Sequence, residues 1–215
     1  MNQESNKTIL CHKCRKNECG MGYPQGTPEY CQANKYADII EESKKEFIKP
    51  TVANINLATA RMFGKGGFGW PRIQQSIEFA REMGVTKVGL AVCIVMIKEG
   101  QEFARFLEMA GFEVVSVCCM LGGLTLEEAG IPGKAPKGFS KICNPIAQAE
   151  IMNREGTQLN FIFGLCPGHD TMFSMYAKAP GTCVVAKDSV TGHNPCAALY
   201  SSFHRQNLAQ YCQKS

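Results

Sequence analysis

Residues 87–119 read KVGLAVCIVMIKEGQEFARFLEMAGFEVVSVCC, and this stretch decides the fold. Lys87–Cys93 is a near-continuous apolar run of strand length, and FEVVSVCC (Phe112–Cys119) is a second one. Between them Phe103, Phe106, Leu107 and Ala110 stand at i, i+3, i+4 and i+7, the spacing of one helix face, and Gly111 closes the helix. A strand that is apolar on both faces, then a helix, then another such strand is the signature of a parallel pair with a helical crossover.

The pattern continues in both directions. Towards the carboxyl end, a long Gly/Pro/Lys-rich loop spans Met120–Lys141, and a helix is expected from about Pro145 to Arg154. LNFIFGLC (Leu159–Cys166) is the third strand, a helix lies near Asp170–Ala177, TCVVAKD (Thr182–Asp188) is the fourth strand, and a last helix starts near Pro195. Towards the amino end, Ile73, Ile77 and Ala80 mark a helical face that stops at Gly84. Two further helices, Tyr36–Ile48 and Thr51–Met62, are separated by Pro50. The expected architecture is α/β: a three-layer, doubly wound, mostly parallel sheet. GKGGFGWP (64–71) has the glycines of a phosphate cradle, but it matches neither nucleotide-binding spacing and reads as a turn.

The bulk numbers agree. At 215 residues, 45% hydrophobic and 20% charged, the chain has material for a core. A net charge of +4, with no Lys/Arg stripe interleaved with aromatics, argues against nucleic acid as a partner. The longest apolar runs, LAVCIVMI and LNFIFGLC, are too short to span a bilayer, and the start MNQESNKTILCHKC lacks the apolar segment of a secretory signal. A soluble cytoplasmic protein without membrane contact is expected.

Twelve cysteines are the anomaly. Disulfide frameworks belong to small secreted chains without a core, so in this chain the cysteines point to metal or redox chemistry. Residues 1–35 carry Cys11-x2-Cys14-x4-Cys19-x11-Cys31 in a polar, turn-rich stretch (GMGYPQGTPEY included). This reads as a small metal-ordered knuckle folded against one α/β domain of residues 36–215, the two packed as a unit. A C-x2-C turn aims two thiolates at one metal, and two more complete a soft four-ligand set. The uneven spacing favours an iron–sulfur cluster, with zinc as the alternative.

A second set follows from topology. Cys93, Cys118 with Cys119, and Cys166 close three of the expected strands, and in a parallel sheet all carboxyl ends share one edge, beside the ligand crevice. Cys143 and Cys196 precede or open helices that approach the same edge. Any one of these thiols could equally be a small buried hydrophobe, as free cysteines often are; three at strand ends argue for a shared centre. Cys183, at the start of its strand, reads as core. In Cys166-Pro-Gly-His169-Asp170 the thiol sits before a helix N-terminus with a histidine three residues on, which reads as a nucleophile and base, or as a ligand with its orienting partner.

The C-x2-C-x4-C opening, GLAVC, VSVCC, the C-N-P turn, C-P-G-H-D and the closing G-H-N-P-C-A-A-L together resemble a family of cysteine-rich proteins of bacteria and archaea, domain-of-unknown-function family 1847, described as predicted metal-binding. The resemblance runs over nearly the whole chain. It implies metal binding through Cys11, Cys14, Cys19, Cys93, Cys118, Cys143, Cys166 and Cys196, and it implies no reaction. The functional expectation is therefore an iron–sulfur protein with a sheet-edge centre and an N-terminal four-cysteine site, its partner a small-molecule substrate or a redox protein. A zinc module without catalysis, a Cys166–His169 thiol enzyme and a metal or sulfur carrier are the alternatives.

Overall fold

The strand–helix alternation is realised in a computed structural model that describes residues 10–16, 18–23, 25–133 and 141–213. The polar leader 1–9 and the segment 134–140 of the long loop lie outside the described residues. In chain order the elements are α1 (Gln32–Lys35), α2 (Ala37–Glu46), α3 (Pro50–Lys65), α4 (Arg72–Met83), β1 (Lys87–Val92), α5 (Ile97–Met109), β2 (Glu113–Cys118), α6 (Pro145–Glu155), β3 (Leu159–Phe163), α7 (His169–Tyr176), β4 (Gly181–Val185), α8 (Cys196–Tyr200) and α9 (Ser202–Gln213). The chain divides into two compact units, Met1–Leu57 and Ala58–Ser215, the boundary falling within α3.

Boundaries follow local chemistry. Pro50 opens α3, where a missing N–H costs nothing. Gly84 and Gly156 end α4 and α6 in the left-handed conformation, at φ 68° and 71°. Asn144 caps α6, its side chain accepting from the Ala147 N–H at 3.0 Å.

The four strands form one parallel sheet in the order β2-β1-β3-β4. Because side chains alternate along a strand, each strand feeds two layers. Val88, Leu90 and Val92 of β1, with Leu159, Phe161 and Phe163 of β3, point to one face and meet Ala80 of α4 and Phe103 and Leu107 of α5. Phe103 lies edge-on to Phe161 at 5.4 Å and stacks on Phe163 at 5.6 Å. On the opposite face Ala91, Val117 and Ile162 meet Ala149 and Met152 of α6 and Phe173 of α7. Phe161, Phe173, Leu107 and Met152 are fully buried, and each such side chain contributes about 1.5–3 kcal/mol. Helices on both faces of a parallel sheet make this the three-layer doubly wound arrangement that the sequence predicts. Among the described residues no helix is long and apolar enough to cross a membrane.

The glycine-rich segment 64–71 is a turn built on Trp70. A Cβ on Gly66 would lie 2.0 Å from the indole, and the Gln75 amide donates to the carbonyls of Gly67 (2.6 Å) and Trp70 (3.0 Å).

Candidate thiol centre at the carboxyl edge of the sheet

The chain leaves β1 towards β2 on one side and reaches β3 on the other, so the carboxyl ends of β1 and β3 flank the point where the winding reverses. In open α/β sheets that crevice is where ligands bind. Cys93 directly follows β1, and its N–H donates to the Phe163 carbonyl of β3 at 3.1 Å. β3 stops at Phe163 because Gly164 turns left-handed at φ 68° and its N–H bonds the Val185 carbonyl at 2.9 Å. A Cβ at Gly164 would sit 2.2 Å from the Met96 sulfur, so the turn needs glycine. Cys166 therefore stands at the mouth of the β1/β3 crevice.

Four thiols from four segments meet there. Lys187, two residues beyond β4, donates from Nζ to Cys166 Sγ at 2.8 Å and to Cys93 Sγ at 3.2 Å. Cys119, which follows β2, is buried; its Sγ lies 3.4 Å from Cys143 Sγ and accepts from the Ile94 N–H at 3.3 Å. The Asn144 N–H donates to the Cys119 carbonyl at 2.8 Å, tying the start of α6 to the end of β2. Beneath them Gln148, fully buried on α6, donates to the Val117 carbonyl at 2.6 Å and so joins α6 to the end of β2.

These contacts polarise the thiols. Cys93 is pulled down to about 5, first by the hydrogen bond from Cys119 and, against burial, by the Val95 N–H and Lys187. Cys119 is driven up, as the thiol that keeps its proton for Cys93 and is buried besides. Burial pushes Cys143 up. Burial also works to lower Lys187, but the bonds to Cys166 and Cys93 prevail and raise it. The arrangement sets a thiol biased towards its anion beside an ammonium and two thiols biased towards keeping their protons.

A cleft of about 390 Å³ opens on this group. Its walls are Ile94, Val95, Met120, Ile131 and Ile142, and its polar lining is Cys93, Cys143, Cys166, His169, Lys141 and Lys187. His169 opens α7, and its Nδ1 is buried without a hydrogen-bond partner among the described residues. The Cys166 sulfur is held by Lys187, where the sequence suggests His169 as its base.

Other expected ligands fall elsewhere. Cys118 shares its strand face with Val114 and packs against the α4/α5 layer, so of the vicinal pair it is Cys119 that meets Cys143. The cause is parity: Cys93 and Cys119 continue the alternation of Ala91 and Val117, and Cys118 that of Val114. Cys196 opens the short helix α8 and is exposed, outside the cleft. Cys183, expected in the core, is exposed on the edge strand β4. Lys187 went unread in the sequence, although a lysine closing the fourth apolar run had to land on the same edge.

In the amino-terminal unit, Leu10 O accepts from the Lys13 N–H (2.9 Å) and Cys11 O from the Cys14 N–H (3.1 Å), forming the C-x2-C turn. Tyr23, at a positive φ of 52°, places its hydroxyl 3.2 Å from Cys31 Sγ. The Tyr23 hydroxyl is pushed up to about 12 by that bond, then by desolvation and by the charges of Cys31, Cys19 and Cys14. Of the four predicted knuckle thiols, Cys31 contacts the phenol directly; Cys11 is exposed in its turn.

Cys93, Cys119, Cys143 and Cys166 are free thiols. Among the described residues no group of three or more His, Cys, Asp or Glu side chains is placed so that it could hold a metal ion. The edge group is therefore four neighbouring soft donors with an ammonium inserted among them.

Comparison with known proteins places this geometry in context. The family model described as "Protein of unknown function (DUF1847)" matches residues 31–184, which include Cys93, Cys119, Cys143 and Cys166 and exclude Cys11, Cys14, Cys19 and Cys196. An uncharacterized protein of Methanocaldococcus jannaschii is 36% identical over 205 residues, spanning 94% of this chain and 99% of the relative. No solved structure matches the chain significantly. With the family model covering most of the sheet and the archaeal relative covering nearly all of the chain, the protein belongs to the DUF1847 family.

Proposed function

We propose that the protein is a thiolate metal-binding protein whose principal centre is held by Cys93, Cys119, Cys143 and Cys166, with an iron–sulfur cluster favoured and zinc as the alternative. A second site on Cys11, Cys14, Cys19 and Cys31 belongs to the same proposal. The observation that carries it is the convergence of four thiols, distant in sequence, on the switch point of a parallel sheet. The donor chemistry fits: four soft sulfurs, one of them already biased to the thiolate form in which cysteine binds metal. A bound cluster supplies one-electron transfer and, where an iron lacks a protein ligand, Lewis acidity.

The chain's own groups have definable work around it. Lys187 favours the Cys93 sulfur as an anion and donates a hydrogen bond to the Cys166 sulfur, and hydrogen bonds to sulfur tune the potential of such centres. The five apolar walls exclude water from one side of the cleft. His169 lines the cleft, with its Nδ1 buried and unpartnered among the described residues, and is the imidazole nearest a small molecule bound there. The proposed partner is accordingly a small-molecule substrate in this cleft or a redox protein docking over it, and free thiols suit a reducing cytoplasm.

The test is iron, zinc and acid-labile sulfide per chain after oxygen-free purification, on the natural chain and on C93S, C119S, C143S and C166S. Sulfide below about half an equivalent removes the iron–sulfur version and leaves zinc. A second reading, a metal-free thiol enzyme, draws on the Lys187–Cys166 contact: Lys187, rather than His169, would then activate the nucleophile. Natural protein with no bound metal, whose reactivity towards a thiol-directed reagent is lost in C166S, would favour it.

A further inference from the structure

The two sulfurs of Cys119 and Cys143 lie 3.4 Å apart, and their backbones are already joined. The Asn144 N–H bonds the Cys119 carbonyl at 2.8 Å. One turn further along the loop, Leu124 and Ile142 form an antiparallel bridge, N–H to carbonyl in both directions at 3.2 and 2.8 Å. The loop between the two cysteines is thus fastened at its base whether or not their sulfurs are linked. A disulfide needs the sulfurs about 1.4 Å closer than they are.

The neighbouring thiols are placed differently. Cys118 and Cys119 project to opposite faces of the sheet, so a vicinal bond would require the strand end to rebuild. Cys93 and Cys166 are separated by the Lys187 ammonium that bonds both.

We propose that Cys119 and Cys143 are an oxidative modification site: a reversible intrachain disulfide, formed by peroxide, that withdraws two sulfurs from the edge centre. The inference rests on the metal reading only for this consequence, because the bond itself needs no metal. Of the two, only Cys143 lines the cleft, so the oxidant reaches it before Cys119 and its transient thiolate is the attacking form. Its sulfur takes one peroxide oxygen as the O–O bond breaks, giving a sulfenic acid and one water. The Cys119 sulfur then attacks the sulfenic sulfur; the S–S bond forms, the S–O bond breaks, and the departing hydroxide takes the Cys119 proton as a second water. Two thiols lose two electrons and one peroxide becomes two waters. Reduction by a dithiol reverses the change.

The experiment uses the full chain, reduced and stripped with a chelator, exposed to hydrogen peroxide, blocked with N-ethylmaleimide and mapped by peptide mass spectrometry. The expected product is a linked pair of peptides carrying residues 119 and 143, cleaved by dithiothreitol. It should form unchanged in C118S and be absent in both C143S and C119A, with far-ultraviolet circular dichroism reporting the fold of each. Zinc uptake after oxidation should fall by about one ion per chain relative to the reduced protein. A dominant link of any other pair, 93–119 and 118–119 included, or no disulfide at all overturns the proposal. Zinc uptake of nil in reduced and oxidised protein alike, with the 119–143 link present, sinks the metal reading and leaves the oxidation site standing.

Discussion

The two cysteine groups use the same side chain and are positioned by opposite means. At the sheet edge, sulfurs separated by more than twenty residues in sequence are delivered by strands whose backbones are locked into a ladder, over a buried apolar layer. In the amino-terminal set, Cys11, Cys14, Cys19 and Cys31 are exposed or half-buried, and the contacts that order them are short turns and one phenol. The first arrangement is a by-product of folding. Among the described residues of the second, none of the helical turns from Cys11 to Lys35 buries a residue, and sites of that kind draw their order from the metal. On the proposed metal reading, the fold itself brings one thiol group together, and the other would be completed by the metal.

The difference can be broken at its strongest point by serine substitution. Any of C93S, C119S, C143S or C166S should empty the edge centre, measured as loss of its share of iron or zinc, while C118S keeps it full. C14S and C31S should empty the knuckle alone. Loss of both centres from either class of variant would mean that the two groups are not independent.

Next in size is G164A. The added Cβ meets the Met96 sulfur and sits at a positive φ, so the sheet unit should lose about 2–4 kcal/mol in urea unfolding, from conformation and overpacking together. The knuckle should not notice. An unchanged urea midpoint would show that the turn carrying Cys166 is not fixed as described.

A smaller effect is expected from pH in the chelated protein. Cys93 titrates near 5 when folded and at the ordinary thiol value of 9.0 when unfolded. Its contribution to stability is therefore complete above the unfolded value and is lost as pH falls from about 9 towards 5. Cys119 is shifted the other way, so its neutral form favours the folded state only below the ordinary value, and the gain should turn over above about 9. K187M should flatten the rise without removing it, because the hydrogen bond from Cys119 is the larger cause. Chemical denaturation between pH 5 and 10 decides the matter, and a flat profile counts against the thiolate.

The smallest effect belongs to Y23F. It deletes one hydroxyl contact to Cys31 and should weaken knuckle metal by about tenfold, the low end for groups that orient ligands. Competition with a chromophoric chelator measures it, and edge metal should stay constant.

Much of this molecule is legible in the chain. The run 87–119 contains its parallel pair outright, because strands covered on both faces are apolar at nearly every position, and the helix between them shows an unbroken 3.6-residue period. What escaped reading is finer than an element. Cys118 and Cys119 are adjacent in sequence, and choosing between them requires knowing which parity of β2 shares a layer with Ala91. That is a property of pairing register, not of composition. The apolar run closes at Cys166, yet β3 ends three residues earlier because Gly164 and Met96 pack against one another, a contact between segments that no local pattern displays. Cys183 looked internal because its run is apolar, but β4 is an edge strand, and strand order lies beyond periodicity. Lys187 was visible and passed over, since a terminal lysine ordinarily marks where a strand meets solvent.

Its placement on that edge has one more consequence. β4 has a single neighbour, β3, and their ladder is already interrupted between Ile162 and Phe163. Edge strands open locally at lower free energy than central ones. Fraying at the end of β4 would carry the ammonium away from Cys93 and Cys166 and release the Gly164 N–H bond to the Val185 carbonyl. The centre thus possesses a detachable counter-charge, hung on the least secured strand of the sheet, through which a modest backbone motion alters the field at the sulfurs by one full unit.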